Sequence, residues 1–361
     1  MAGPHPDTLP LRADTTRRDF LRLSSACTAH LALMATPFPA AARALWSARP
    51  QGTVVAQEPF GRLEVMGEGL WAFISTPLGG DYTTVCNGGI IAGQDGVLVV
   101  EAFQTREGAR WVAERARELT GRWPTHVLIT HYHGDHSSGV EGLLPEGDPL
   151  AADSNPSRPS FHVTETTREW KVEGLPPNAP EQVRRLWADV VWVDEEAPEF
   201  LDLGSRQVRL VPRLGHTASD VTVELPEEGI AWCGDLVWNG MFPNFMDAAP
   251  SKLSRAVRAI QAKAYERYVP GHGPMADGPE LYRYLAVLDG LEETARRARR
   301  EGWTAEEAAA RHRIPEGVGE WTLFNPSYYQ RGVEAWMREW AAERPPRDTG
   351  AAVGTTGAKP R

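Results

Sequence analysis

Cysteine is scarce in this 361-residue chain. It occurs at positions 27, 86 and 233, with no C-x-x-C pair. A disulfide framework is therefore not expected, and Cys86 and Cys233 read as small buried apolar residues. A Cys86–Cys233 bridge is the pairing left open in an oxidising compartment. Basic charge is also short: 38 Lys and Arg face 48 Asp and Glu, for a net charge of −10. That balance argues against a nucleic-acid partner. The apolar stretch at 23–35 is too short and too polar for a membrane span, so no stable membrane association is expected. There is no G-x-S-x-G nucleophile motif, no Gly-rich strand–helix unit for a flavin, and no internal repeat.

What is present is ordinary for a soluble globular protein: 42% apolar and 24% charged residues. Thirteen tryptophans are many for this length, and they are expected in the core or around a pocket. The first 42 residues read as an address. Thr16-Arg17-Arg18-Asp19-Phe20-Leu21-Arg22 resembles a twin-arginine export signal. The moderately apolar stretch follows, then Ala40-Ala41-Ala42, which fits small-x-small cleavage. A periplasmic or extracellular location is the expectation.

Short apolar runs predict strands at 62–66, 70–75, 85–92, 96–101 and 126–130. A helix is predicted over 105–119, with Val112, Ala113, Ala116 and Leu119 on one face. The second half repeats the pattern, with strands at 207–212, 221–225, 229–233 and 267–270 and a helix at 252–263. The Pro-rich, polar segment 145–188 is longer than a compact connection needs. It reads as an insertion with one or two helices. Beyond Gly278 the chain turns helical. Thr304-Ala-Glu-Glu307 is a capping-box pattern, Asn325-Pro326 suits a helix start, and Val333, Trp336, Met337 and Trp340 form a stripe. Residues 345–361 read as a disordered tail.

The strongest signal is His131-Tyr-His-Gly-Asp-His136, directly after a predicted strand. Imidazole nitrogens and carboxylate oxygens are zinc donors, and Gly134 would allow a tight backbone. Further candidates follow, each beside a glycine in a turn: His216 before Thr217, Asp235 after Gly234, and His272 between Gly271 and Gly273. His5, His30, His126, His162 and His312 lack this context and read as ordinary histidines.

H-x-H-x-D-H followed in order by G-H-T, G-D and P-G-H-G resembles the metallo-β-lactamase superfamily over about residues 60–275. The resemblance implies an α/β fold, a four-layer αβ/βα sandwich over 55–280; the residues beyond it read as a helical C-terminal extension at 281–344. It implies two zinc ions, with iron or manganese as alternatives. His131, His133 and His216 would hold the first, Asp135, His136 and His272 the second, and Asp235 would bridge them. Glu101 stands where the family usually has Asp, and is a candidate to support the ligands from behind, as are Thr217 and Asp220.

Such a site implies a hydrolase, exported if the leader is read as above, that activates a metal-bridging hydroxide, with Asp135 orienting it, against a small carbonyl substrate: a lactone, thioester, ester or amide. A bridging Asp235 resembles the thioesterase and lactonase branches rather than the zinc β-lactamases. A true β-lactamase, a mononuclear-iron persulfide oxygenase and a non-catalytic binding protein are the alternatives. The apolar segment 236–246 either lines the pocket or packs beneath it. Trp336 and Trp340 suit a cover, a dimer contact or docking within the chain. Oligomeric state is not legible.

Overall fold

The computed structural model describes residues 52–145 and 158–342. The export signal and the tail at 345–361 lie outside the described residues.

The first sheet has eight strands in sequence order. β1 (Val54–Glu58), β2 (Gly61–Gly67), β3 (Leu70–Ser75) and β4 (Gly88–Ala92) form an antiparallel meander that continues into β5 (Val97–Val100). Helix α1 (Arg106–Thr120) then crosses over, so that β6 (His126–Leu128) lies parallel to β5. Thr105 caps α1 by accepting from the Gly108 N–H at 3.1 Å, and Gly121 ends it in the left-handed region. Val112, Ala113 and Ala116 are buried as expected, whereas Leu119 is 37% exposed. It falls on the last turn, beyond the reach of the sheet.

After β6 come a four-residue helix, α2 (Gly134–Ser137), and then β7 (Ser160–Thr164), α3 (Glu165–Gly174), α4 (Glu181–Ala188) and β8 (Val191–Val193). The described part of the expected insertion contains two helices, but β7 pairs with β6 and is part of the sheet itself. A polar flank disguised this strand: only Phe161 and Val163 of its five residues are apolar, and its burial comes from its neighbours.

The second sheet runs β13-β12-β11-β10-β9. It comprises β9 (Glu199–Asp202), β10 (Gln207–Arg213), β11 (Asp220–Leu225), β12 (Ile230–Trp238) and β13 (Arg267–His272). Helix α5 (Pro250–Gln261) links the last two, which pair in parallel. α6 (Gly278–Glu301), α7 (Ala305–Arg311) and α8 (Tyr328–Ala342) follow. The Thr304 capping box forms at α7. Asn325 does not start α8. Its Oδ1 accepts from Ser327, and the helix begins at Tyr328, because the Asn side chain closes a separate turn first.

Three apolar clusters fill the layers. Ile91, Leu98, Val100 and Leu128 of the first sheet meet Leu210, Val221, Trp232 and Val269 of the second. α1 and Trp187 cover the outer face of the first sheet. α5, α6 and α8 cover the second. This is the αβ/βα sandwich expected from the sequence, with a helical C-terminal region. Each fully buried aliphatic side chain contributes about 1.5–3 kcal/mol. Among the described residues, no helix is long and apolar enough to cross a membrane.

Candidate metal centre

The ends of the inner strands meet along one edge, and all seven sequence-derived ligands gather there. His131 and His133 leave the end of β6, and Asp135 and His136 lie on α2. His216 occupies the β10–β11 connection, and His272 ends β13. Asp235 differs from the expectation. It lies inside the long strand β12 rather than in a turn after it, because Gly234 (φ 50°) shifts the strand register without ending pairing to β13. Gly134 has no left-handed backbone; it simply opens α2.

The donor atoms form two groups that can each hold a metal ion: His131, His133, His216 and Asp235; and Asp135, His136 and His272. Asp235 joins them. Its Oδ2 lies 3.2 Å from His216 Nε2, while its Oδ1 lies 3.1 Å from His136 Nε2 and 3.2 Å from His272 Nε2. Asp135 Oδ2 adds a 3.2 Å approach to His272 Nε2.

These atoms converge without satisfying one another. His136 Nε2 and Asp235 Oδ1 are buried and close, yet among the described residues neither has a hydrogen-bond partner. Buried polar atoms rarely stay unpaired, so a cation among them is the natural complement. Imidazole nitrogen and carboxylate oxygen suit zinc, and equally iron or manganese.

Burial is the largest influence on every one of these groups. It drives His131 well below its ordinary pKa and His216 down to about 3. At His272 the carboxylates of Asp235 and Asp135 outweigh burial and raise it to about 9. Asp235 and Asp135 both stay below the usual carboxylate range, because the surrounding imidazoles overcome the burial that opposes ionisation. Both are anionic donors at neutral pH.

A family model described as the metallo-beta-lactamase superfamily matches residues 81–272. The chain belongs to the metallo-beta-lactamase superfamily. A hydroxyacylglutathione hydrolase of Parasynechococcus marenigrum (strain WH8102) is 23% identical over 175 residues, covering 46% of this chain and 57% of that protein. The acyl-coenzyme A thioesterase MBLAC2 of Gallus gallus is 23% identical over 171 residues, covering 45% of this chain and 61% of that protein. The chain therefore spans little more than half the length of these relatives. Among solved structures, the stereoselective inverting sec-alkylsulfatase Pisa1 from Pseudomonas sp. superposes with a TM-score of 0.62 at 15% identity, over 90% of this chain and 63% of that one. At that identity the likeness speaks for the fold alone.

In this metallo-beta-lactamase-superfamily chain, Glu101 stands beside His136 and Thr130. Its Oε1 lies 3.0 Å from His136 Nδ1 and accepts from Thr130 Oγ1 at 2.6 Å, while Oε2 accepts the Thr130 N–H. Glu101 has φ 78°, a left-handed backbone costing on the order of 1–3 kcal/mol. Thr217 and Asp220 act on the backbone of the His216 turn. Asp220 accepts from the His216 N–H at 3.1 Å and from Thr217 Oγ1 at 2.8 Å. Burial lifts its pKa to about 7 despite those bonds.

Several neighbours were not singled out from the sequence. Asn87 donates to the carbonyls of Pro270 and Gly273 and accepts from the Ser75 N–H, tying the His272 turn to the first sheet. Cys86 is buried and free, as is Cys233, so no bridge joins them; Cys86 Sγ donates to the Asp135 carbonyl at 3.0 Å. Asp247 contacts His133. None stands in a histidine-rich motif, which is why pattern reading passed them over.

A cavity of about 360 Å³ adjoins the outer side of the His131–His136 loop. Tyr132, His133, Trp170, Leu175, Trp187 and Met246 are in its wall. Most of the apolar segment after Asp235 packs beneath the site instead: Leu236, Val237, Trp238, Met241, Phe242 and Phe245 are buried in the cluster under α6 and α8. Trp336 and Trp340 join that same cluster, so they dock within the chain. Among the ordinary histidines, His126 Nδ1 pairs with His162 Nε2 at 3.0 Å, and His312 Nδ1 meets Thr294 Oγ1 at 2.9 Å.

Proposed function

We propose that the chain is an exported, zinc-dependent hydrolase of a carbonyl substrate, with a thioester favoured over a lactone, ester or amide. The observation that carries this reading is the Asp235 carboxylate, with one oxygen facing each ligand group. His131, His133 and His216 would hold the first ion, and Asp135, His136 and His272 the second. When bound, two such ions supply Lewis acidity and a water acidic enough to ionise near neutral pH.

The remaining work falls to the chain. Asp135 has 21% of its side chain exposed, against 4% or less for Asp235, His136 and His272. It is the carboxylate that incoming water and substrate meet, and it accepts and orients a water proton. Glu101 and Thr130 keep His136 and His131 from turning. The cavity beside His133, lined by Trp170, Leu175 and Met246, suits an apolar substituent. The names of the curated relatives, a hydroxyacylglutathione hydrolase and an acyl-coenzyme A thioesterase, support the thioester. The twin-arginine-like leader supports export.

The test is elemental analysis of purified protein, followed by hydrolysis of matched thioester, lactone, ester, amide and β-lactam substrates. About two zinc ions per chain with thioester turnover are expected. About one iron with oxygen consumption on a persulfide, and no hydrolysis, overturns the reading.

A further inference from the structure

Asp247 lies between β12 and α5, outside every metal motif. Its Oδ2 is 2.9 Å from His133 Nε2 and also accepts from Tyr132 OH at 3.1 Å. The other nitrogen of that ring, His133 Nδ1, is the one inside the ligand group. It lies 3.1 Å from His131 Nε2 and 3.0 Å from His216 Nε2. His133 thus enters the group through Nδ1, while His131 and His216 enter through Nε2.

A neutral imidazole carries one N–H and one lone pair. A carboxylate at Nε2 demands the N–H there, which leaves the lone pair on Nδ1, directed at the group. The opposite tautomer would set the Nε2 lone pair against the Asp247 carboxylate and turn an N–H into the ligand group. The carboxylate is itself held. Tyr132 shares its oxygen, and the Tyr132 ring stacks on Trp170 of α3 with centroids 4.7 Å apart and planes 8° apart. In the second ligand group Glu101 Oε1 lies 3.0 Å from the outward Nδ1 of His136, but without hydrogen-bond geometry. Among the described residues, His136 Nδ1, His216 Nδ1 and His272 Nδ1 have no hydrogen-bond partner, so His133 is the histidine of the site whose outward nitrogen is hydrogen-bonded to a carboxylate.

We propose that Asp247 is a positioning residue for the first metal: it fixes His133 as the Nε2–H tautomer and aims Nδ1 at the ion. This rests on the metal-centre reading above. Asp247 acts through His133, and its effect is confined to the ion held by His131, His133 and His216.

The test compares the parent with Asp247→Ala and Asp247→Asn by cobalt(II) and zinc titration against a chelating indicator, resolving the two binding steps. Asp247→Ala is expected to weaken one ion by about 10–100-fold and to leave the other within about twofold. Asp247→Asn retains an acceptor oxygen and should lose less. Steady-state kinetics are expected to show a fall in kcat larger than any change in KM. Equal weakening of both ions would point to general collapse of the site and overturn the proposal. A raised KM with both ions bound as in the parent would make Asp247 a wall of the cavity only, and overturn it too. If Asp247→Ala fails to fold, Asp247→Asn decides alone. A parent that binds no divalent metal sinks the metal-centre reading itself, an outcome distinct from either.

Discussion

Gly271 lies so close against the carboxylate of Asp235 that no side chain fits between them. A Cβ at position 271 would overlap Asp235 Oδ1, with the Asp235 N–H and the Gly234 carbonyl carbon also within 3 Å. The strands β12 and β13 meet there, and the missing side chain lets the bridging carboxylate sit between the two ligand groups. Gly271→Ala is therefore expected to lose metal before it loses fold. Overpacking of this kind costs about 1–3 kcal/mol. Elemental analysis of a variant with parental circular dichroism checks it, and full metal content in that variant would sink the idea.

Glu101 gives a graded test. Glu101→Gln keeps the length but loses the charge that faces His136 Nδ1 at 3.0 Å. Weakening of the second ion by about 10–100-fold is expected. Glu101→Asp keeps the charge but is one methylene shorter, so the contacts to Thr130 and His136 cannot both be kept. Metal competition on the two variants tells charge from reach.

Removal of metal should lower stability, because the ions bind the folded chain alone. An ion present at about 1,000 times its Kd contributes roughly 4 kcal/mol. For a chain of this size that corresponds to a Tm shift of about 5–7 °C. Thermal unfolding with and without a chelator measures it, and re-addition of zinc should restore the shift. An unchanged Tm would count against a built metal site.

His312 supplies a pH dependence away from the metals. It is 1% exposed, in contact with Thr294 and Tyr329. Burial chiefly, and the Arg313 charge secondarily, hold its pKa down to about 4, from an ordinary 6.5. Between those values the unfolded chain binds a proton that the folded chain does not. Its contribution is thus fully present above about pH 6.5 and is lost as pH falls toward 4, on the order of 3 kcal/mol in all. Urea unfolding from pH 7 to 4.5 should show a shallower slope in His312→Asn than in the parent. Parallel slopes would remove His312 from the account.

The C-terminal helix should matter for stability and not for metal. Trp336 stacks on Trp340 at 5.1 Å, and the guanidinium groups of Arg296 and Arg299 lie over the Trp340 ring. Trp336 is 3% exposed. Trp336→Ala is expected to cost about 3–5 kcal/mol with metal content unchanged. Denaturant unfolding and elemental analysis check the two halves separately.

The candidate metal ligands stand out in the sequence because metal chemistry demands rare residue types at tight spacing. His131, His133, Asp135 and His136 fall within six positions, and His216, Asp235 and His272 each sit beside a glycine. The layered α/β architecture followed from apolar runs alternating with helical periodicity, and the C-terminal helices from capping residues such as Thr304. Strand β7 was not legible, because pairing with β6 buries residues whose own pattern is mostly polar. Nor was the position of Asp235 inside β12, since a glycine reads equally as a turn or as a register shift. Asp247 and Asn87 carry no local signal at all. Asp247 lies 114 residues from His133, and Asn87 lies 183 from Pro270. Ligand identity is thus written locally, in residue type and spacing. Which nitrogen of each imidazole faces inward is decided only when distant strands and helices pack and bring a carboxylate to its other side.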